Sequence, residues 1–181
     1  MKMNAMRTTI LKSILPAALF CIAVLALASF VAMPQATTRT AAMPDQPNFR
    51  LFNPDTMAKP AAGYSQVGEV TGGKVVYIAG QVALDASGNL VGKDDFRAQT
   101  EQIFKNLDAA VRAAGGSFHN VVKLNYYCVD SVDPSAITQV REIRDKYVNT
   151  QSPPTSTFVV VRRLVRPEWL LEVEAVAVVK R

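Results

Sequence analysis

The sequence contains very little histidine and cysteine. Its 181 residues include one histidine, His119, and two cysteines, Cys21 and Cys128. Since zinc centres and Ser-His-Asp triads need several such side chains in reach of one another, we predict neither of them, and no cofactor. Cys128 lies in the strand-like run NYYCV and is expected to be a small buried hydrophobic residue.

The sequence also has little net charge once its first residues are set aside. The whole chain has 20 basic and 15 acidic residues, a net charge of +5. Lys2, Arg7 and Lys12 contribute three of these bases, and the first acid is Asp45. The chain after residue 36 therefore carries 17 bases against 15 acids, a net charge of +2. Such a weak excess does not predict a nucleic-acid partner.

The first 36 residues have the layout of a secretory leader. Three bases precede an uncharged apolar run at 14–33, and Ala26-Leu27-Ala28 matches a cleavage motif. The run of about 20 residues is also long enough to span a bilayer, so a signal anchor is the alternative. Either case predicts export, to the periplasm or outside the cell, with membrane attachment only if the leader stays uncut.

The rest of the chain predicts one α+β domain. Residues 37–60 are proline-rich and are expected to form an irregular lead-in, and 61–181 the domain itself. The strand and helix patterns follow the order ββαβαββ, which indicates a single sheet with two helices on one face.

Turn and cap signals delimit these elements. Thr71-Gly72-Gly73 between two β-rich runs predicts a hairpin. A first helix is expected after a cap at Asp94 or Asp95 and before Gly115-Gly116, and a second after Asp133-Pro134. In the second helix Arg144 is the exception in an otherwise apolar stripe. Further strands are predicted at 120–129, about 156–164 and about 169–179.

The last strand carries two carboxylates. In LLEVEAVAVV (170–179), alternation places Glu172 and Glu174 on one face of the strand. That face is either simply solvated or functional. Other strands, such as VVYIA and FVVV, are apolar at consecutive positions, which favours a sheet covered by a second subunit in a closed oligomer.

Several segments, taken in order and spacing, resemble the RidA (YjgF-type) family of reactive-intermediate deaminases. The resemblance covers about 61–181 and rests on five pieces of sequence: Gly63-Tyr64-Ser65-Gln66, VYIAGQV (76–82), QTEQIFKNLDAAVRAAGGSFHNVVK (99–123), PPTSTFVVV and LLEVEAVAV. It implies a chorismate-mutase-like fold and a homotrimer with a central barrel. Clefts at the subunit interfaces of such a trimer hydrolyse small enamines and imines to carbonyl compounds and ammonia.

The resemblance also implies the site residues. Glu172 falls on the glutamate that positions the attacking water, with Glu174 in a supporting or structural role. Tyr64 falls on the ring-stacking residue, and Gly80 and Gln81 fall on the cleft wall. Thr155 stands where the family has a carboxylate-binding arginine, and Ser156 follows it.

The missing arginine leaves three functional hypotheses. The first is an imine or enamine hydrolase whose substrate is not a typical 2-imino acid, with Thr155 and Ser156 as candidate hydrogen-bonding residues. The second is a non-catalytic trimer that binds small molecules. The third is a ribonuclease, as the family's older endoribonuclease name suggests, although the low net charge argues against it.

Overall fold

The computed structural model describes residues 47–60 and 63–181, so the predicted leader lies outside the described residues. Six strands and two α-helices form within these ranges: β1 (Asn48–Phe52), β2 (Val67–Gly72), β3 (Lys74–Gln81), α1 (Phe96–Ala113), β4 (Val121–Val129), α2 (Ile137–Arg144), β5 (Thr155–Val161) and β6 (Leu171–Val179). No helix in this part of the chain is long and apolar enough to cross a membrane.

The main sheet has four strands in the order β3-β6-β4-β5. Strand β6 runs antiparallel to both β3 and β4, whereas β4 and β5 are parallel and are connected through α2. This mixed sheet with two helices confirms the predicted α+β class. The three long-range pairings place β6, the strand with both glutamates, in the interior of the sheet.

Two sequence predictions about the first strands are wrong. Strands β2 and β3 do not form a hairpin with each other, because β2 pairs with β1 and β3 pairs with β6. Gly73 makes the abrupt change of direction between them with φ of +100°, a conformation that suits glycine. The proline-rich lead-in is also not irregular throughout, since it contains β1. The predicted single sheet is thus a four-stranded sheet beside a separate two-stranded ladder.

Helix α1 forms where its cap and its apolar spacing predict it. The Asp95 carboxylate accepts a hydrogen bond from the Ala98 backbone N–H at 3.0 Å, which satisfies one of the free donors of the first turn. Gly115, with φ of +89°, ends the helix. The buried face of α1 is apolar apart from two polar residues: Phe96, Gln99, Thr100, Ile103, Phe104, Leu107 and Val111.

The core lies between the two helices and one face of the main sheet. Leu171, Val173, Ala175 and Ala177 of β6 are buried in it. Alternation therefore turns Glu172, Glu174 and Val176 to the opposite face of the sheet, where they are only partly buried. Helix α2 adds Val140 and Ile143 to the core and also buries Arg144. The fold thus gives the sheet a helix-covered face and an open face.

Candidate functional site

Glu174 is held by hydrogen bonds on the open face of the sheet. Its Oε1 accepts from the Asn125 side-chain amide at 2.6 Å and from the Tyr127 hydroxyl at 3.1 Å. Asn125 lies directly across from Glu174 on β4, so the pair is fixed by the strand register. The pKa of Tyr127 is raised, first by its hydrogen bond to Glu174 and then by burial and the two glutamate charges. Glu174 is therefore committed to the structure of the sheet.

Glu172 is the glutamate without such partners. It lies across from Tyr127, and no hydrogen bond or ion pair involves its carboxylate among the residues that the structure describes. It borders a shallow depression together with Arg163, Leu164 and Val165. A half-buried carboxylate with unused acceptor sites next to an open depression is able to bind and orient a water molecule.

Gly80 provides the space that Glu172 occupies. The register between β3 and β6 shifts between Ile78 and Gln81, which is a β-bulge. A Cβ atom built on Gly80 would lie 2.8 Å from the Glu172 carboxyl carbon and 2.9 Å from its Cγ. Any larger residue would force the carboxylate away from this position. The bulge and its glycine thus determine where the acid lies.

Gln81 stabilises the bulge. Its side-chain amide donates to the Ala79 carbonyl at 3.0 Å and lies 3.5 Å from the Gly80 carbonyl. Gly80 and Gln81 also line a depression with Asn106 of α1, whose amide donates to the carbonyls of Val82 and Leu84. The structure therefore brings together Glu172, Gly80 and Gln81.

The other predicted site residues lie elsewhere in the protomer. Thr155 is on the open face with Glu172, but the two are four residue positions and two strands apart in the register, or roughly 16 Å. The Thr155 hydroxyl donates to the Val122 carbonyl at 2.9 Å. It is thus engaged in a structural hydrogen bond.

Tyr64 and Ser156 lie on the helix-covered side of the sheet. Ser156 alternates with Thr155 and lines a pocket between β5 and α2, and Tyr64 lines the same pocket. Ser65, next to Tyr64, bridges to Thr155 and donates its backbone N–H to the Pro154 carbonyl at 3.2 Å. Within one protomer the six predicted residues therefore form two groups, one around Glu172 and one around the start of β5.

Cys128 lies in the core, where it is 1% exposed. Burial raises the pKa of its thiol to about 11, so the thiolate that would react is scarce at neutral pH. Its location agrees with the expectation of a buried hydrophobic residue. Among residues 47–60 and 63–181, no group of three or more His, Cys, Asp or Glu side chains has the arrangement of a metal site.

Comparison with known proteins decides the family. The family model of endoribonuclease L-PSP matches residues 55–179. The chain belongs to the RidA/YjgF family. A RutC family protein of Pyrococcus horikoshii is 34% identical over 119 residues, which cover 66% of this chain and 89% of that protein.

The RidA/YjgF fold is confirmed by a solved structure. The Rid family protein YyfB of Yersinia pestis, a protein of unknown function, has a TM-score of 0.66 and 36% identity. The match covers 73% of this chain and 99% of that one. A relative from Dermatophagoides farinae, 27% identical over 72% of this chain and 97% of its own length, is named 2-iminobutanoate/2-iminopropanoate deaminase. RidA/YjgF membership is thus compatible with deaminase activity.

Sequence reasoning on this RidA/YjgF chain did not select three residues of the Tyr64 pocket. Arg141, Arg144 and Tyr126 line it together with Tyr64 and Ser156. Arg144 had one visible signal, its position in an apolar stripe of α2. The Tyr126 hydroxyl had none, because an alternating strand pattern shows only that a tyrosine faces the core.

Proposed function

We propose that this protein hydrolyses small enamines or imines to a carbonyl compound and ammonia, with Glu172 as the acid-base group. The observation that carries this proposal is the contrast between the two glutamates. Glu174 accepts hydrogen bonds from Asn125 and Tyr127. Glu172 lies over Gly80, and its carboxylate accepts no hydrogen bond in the described part of the chain.

Imine hydrolysis needs few catalytic groups. Glu172 accepts a proton from water as the water oxygen bonds to the iminium carbon, giving a carbinolamine. Glu172 then gives the proton to the nitrogen. As the C–N bond breaks, Glu172 takes the hydroxyl proton, so the carbonyl product and ammonia form, and the proton then passes to ammonia or water to regenerate the carboxylate. One carboxylate in a partly apolar depression is sufficient for these proton transfers.

The substrate class follows from Thr155. At the position where the resemblance implies a carboxylate-binding arginine, Thr155 has no charge and its hydroxyl donates to Val122. Loss of a charge-assisted hydrogen bond weakens carboxylate binding by about 1.5–3 kcal/mol, or roughly 10- to 150-fold. The proposed substrates are therefore neutral imines rather than 2-imino acids.

We also propose a homotrimer, which is typical of the family. Tyr77 and Val75 on β3 and Val159 on β5 are apolar residues of the open face, with exposed fractions of 82%, 43% and 39% in the single chain. A second subunit that covers them would remove this apolar surface from water. It would also allow Glu172 of one subunit to approach the start of β5 of its neighbour.

Export by the leader is part of the same proposal. The basic first residues followed by the uncharged run at 14–33 support it. Cell fractionation checks it: the processed or membrane-anchored protein is expected outside the cytoplasm. Full-length protein that is soluble in the cytoplasm would contradict export.

The test of the activity compares two substrate sets. Neutral imines from an amine oxidase and 2-imino acids from an amino-acid oxidase are generated in situ, and their hydrolysis is measured with the purified protein. We expect faster hydrolysis of neutral imines and little effect on 2-imino acids. Failure to accelerate either set would favour the second candidate, a non-catalytic small-molecule-binding trimer, which the engaged Thr155 hydroxyl also supports. An RNA substrate in parallel tests the ribonuclease hypothesis.

A further inference from the structure

A pocket between α2 and β5 is separate from the depression beside Glu172. Its volume is about 320 Å³, which lies within the range of small-molecule sites. Ile137, Val140 and Phe158 provide apolar walls, and the Tyr126 ring is stacked on Phe158 with centroids 5.5 Å apart. The pocket therefore offers an apolar compartment for a ligand of modest size.

Two guanidinium groups converge on one end of this pocket. A Cβ atom built on Gly63 would lie 3.2 Å from Nη2 of Arg144 and 3.5 Å from Nη2 of Arg141. The Arg144 guanidinium donates to Asp145 Oδ1 through Nε at 2.9 Å and through Nη2 at 2.5 Å, and Arg141 Nε lies 3.7 Å from the other Asp145 oxygen. Two positive charges against one negative charge leave this end of the pocket with a net charge of +1.

Arg144 is unusual because its charge is buried. The residue is 7% exposed, and a buried charge is costly unless it is paired and its donors are used. Asp145 Oδ1 accepts from both Nε and Nη2 of this guanidinium. Nη1 has no hydrogen bond to a carboxylate among the described residues, so it is left to bind an anion, for which the planar array of N–H donors is well suited.

The Tyr126 hydroxyl is the second buried polar group that faces the pocket. Tyr126 is 2% exposed, and its hydroxyl proton has no acceptor among the described residues, while its oxygen lies close to the Arg144 guanidinium. Burial raises the pKa of Tyr126 despite the opposing charge and hydrogen bond of Arg144, so the hydroxyl remains a neutral donor. Buried polar groups normally have a partner, so an unpartnered donor beside a buried arginine points to an anionic ligand.

We propose that this pocket binds a small monocarboxylate, with the carboxylate between Arg144, Arg141 and the Tyr126 hydroxyl and an apolar group against Phe158 and Val140. The net charge of +1 matches one carboxylate rather than a phosphate dianion, and the apolar walls suit a hydrocarbon substituent. Ser156 and Tyr64 line the same pocket and are available for further contacts.

Within one subunit this site is separate from Glu172. The pocket opens on the helix-covered side of the sheet, whereas Glu172 projects from the open face. Ligand binding in the pocket is thus expected to persist when Glu172 is replaced by glutamine. Failure of the proposed catalysis and failure of this assignment are therefore distinguishable.

Fluorine NMR with 4-fluorobenzoate tests the proposal on the purified protein. 4-Fluorobenzamide has nearly the same shape without the charge. We expect 4-fluorobenzoate to bind at least tenfold more tightly, the equivalent of about 1.4 kcal/mol. Inorganic phosphate is expected to compete poorly. Equal affinity for the two fluorinated probes, no binding of 4-fluorobenzoate at millimolar concentration, or a preference for phosphate would overturn the assignment.

Two variants locate the binding. Tyr126→Phe removes only the unpartnered hydroxyl and keeps the ring, so the fold should persist while the affinity for 4-fluorobenzoate falls about fivefold or more. Arg141→Gln changes an exposed residue of the pocket and should also weaken binding. Arg112→Gln, on α1 and paired with Asp108, is the matched control and should bind like wild type. Unchanged affinity in the Tyr126 variant would refute the proposed contacts.

Discussion

The position of Glu172 over Gly80 makes a specific prediction for the substitution Gly80→Ala. The new methyl group would lie 2.8 Å from the Glu172 carboxyl carbon, so the glutamate must leave its position. The backbone of Gly80 is not in the left-handed region, and alanine there should itself stabilise the protein by about 0.4–1 kcal/mol through the unfolded state. Overpacking costs about 1–3 kcal/mol. We therefore expect a net loss of roughly 0.5–2 kcal/mol.

A double-mutant cycle separates the steric effect from every other effect of the alanine. In the Glu172→Ala background the clash is gone, so Gly80→Ala should be neutral or stabilising by up to about 1 kcal/mol. The four proteins are compared by denaturant unfolding at one fixed protein concentration. Imine hydrolysis by Gly80→Ala should also fall at least tenfold, because a displaced carboxylate no longer orients the water. An equal loss of stability in both backgrounds would refute the reasoning.

Two further predictions concern Thr155 and Cys128. Thr155→Arg should raise kcat/KM for a 2-imino acid at least roughly tenfold, about 1.4 kcal/mol, if the trimer joins this position to Glu172 of a neighbour; an intact trimer without any gain would contradict the interfacial cleft. The pKa of Cys128 is raised from 9.0 to about 11, so the stability contributed by the buried neutral thiol is present below pH 9 and is lost as the pH rises through about 11. The free energy of unfolding of wild type should therefore fall between pH 9 and about 11, and that of Cys128→Ala should fall less steeply. The same pH dependence in both proteins would show that burial of this thiol does not cause the loss of stability.

Local sequence signals predicted the helices well. Helix α1 begins after Asp95 and ends before Gly115 because capping and left-handed termination are decided by residues within one turn. Strand β6 was also predicted, with Glu172 and Glu174 on one face, because alternation is a property of the strand alone.

Long-range pairing could not be read from the same signals. The glycines after β2 suggested a hairpin, but β3 instead pairs with β6, about a hundred positions later in the chain. Strand β1 was not predicted, because it lies between Pro47 and Pro54 and the proline content of this segment favoured irregular structure. Its pairing with β2 is decided by contacts across the fold rather than by local propensity.

For the candidate site, the individual residues were predicted but their spatial arrangement was not. The resemblance selected Glu172 and Gly80. The structure places them next to each other because of the β-bulge in β3, which no local sequence motif predicts. The distance between Glu172 and Thr155 depends on the register of three strands. The convergence of Arg141, Arg144 and Tyr126 depends on how α2 packs on the sheet, which a single sequence does not specify.

The central claim is that Glu172 carries out imine hydrolysis, and one comparison tests it most directly. The measurement is kcat/KM for a neutral imine with wild type, Glu172→Gln and Glu174→Gln. Glutamine keeps the shape of each side chain, and at position 174 its amide oxygen still accepts from Asn125 and Tyr127. The account predicts a loss of at least about a hundredfold for Glu172→Gln, as for removal of a general base, and a small change for Glu174→Gln. Wild-type activity in Glu172→Gln, or an equal loss in both variants, would contradict it.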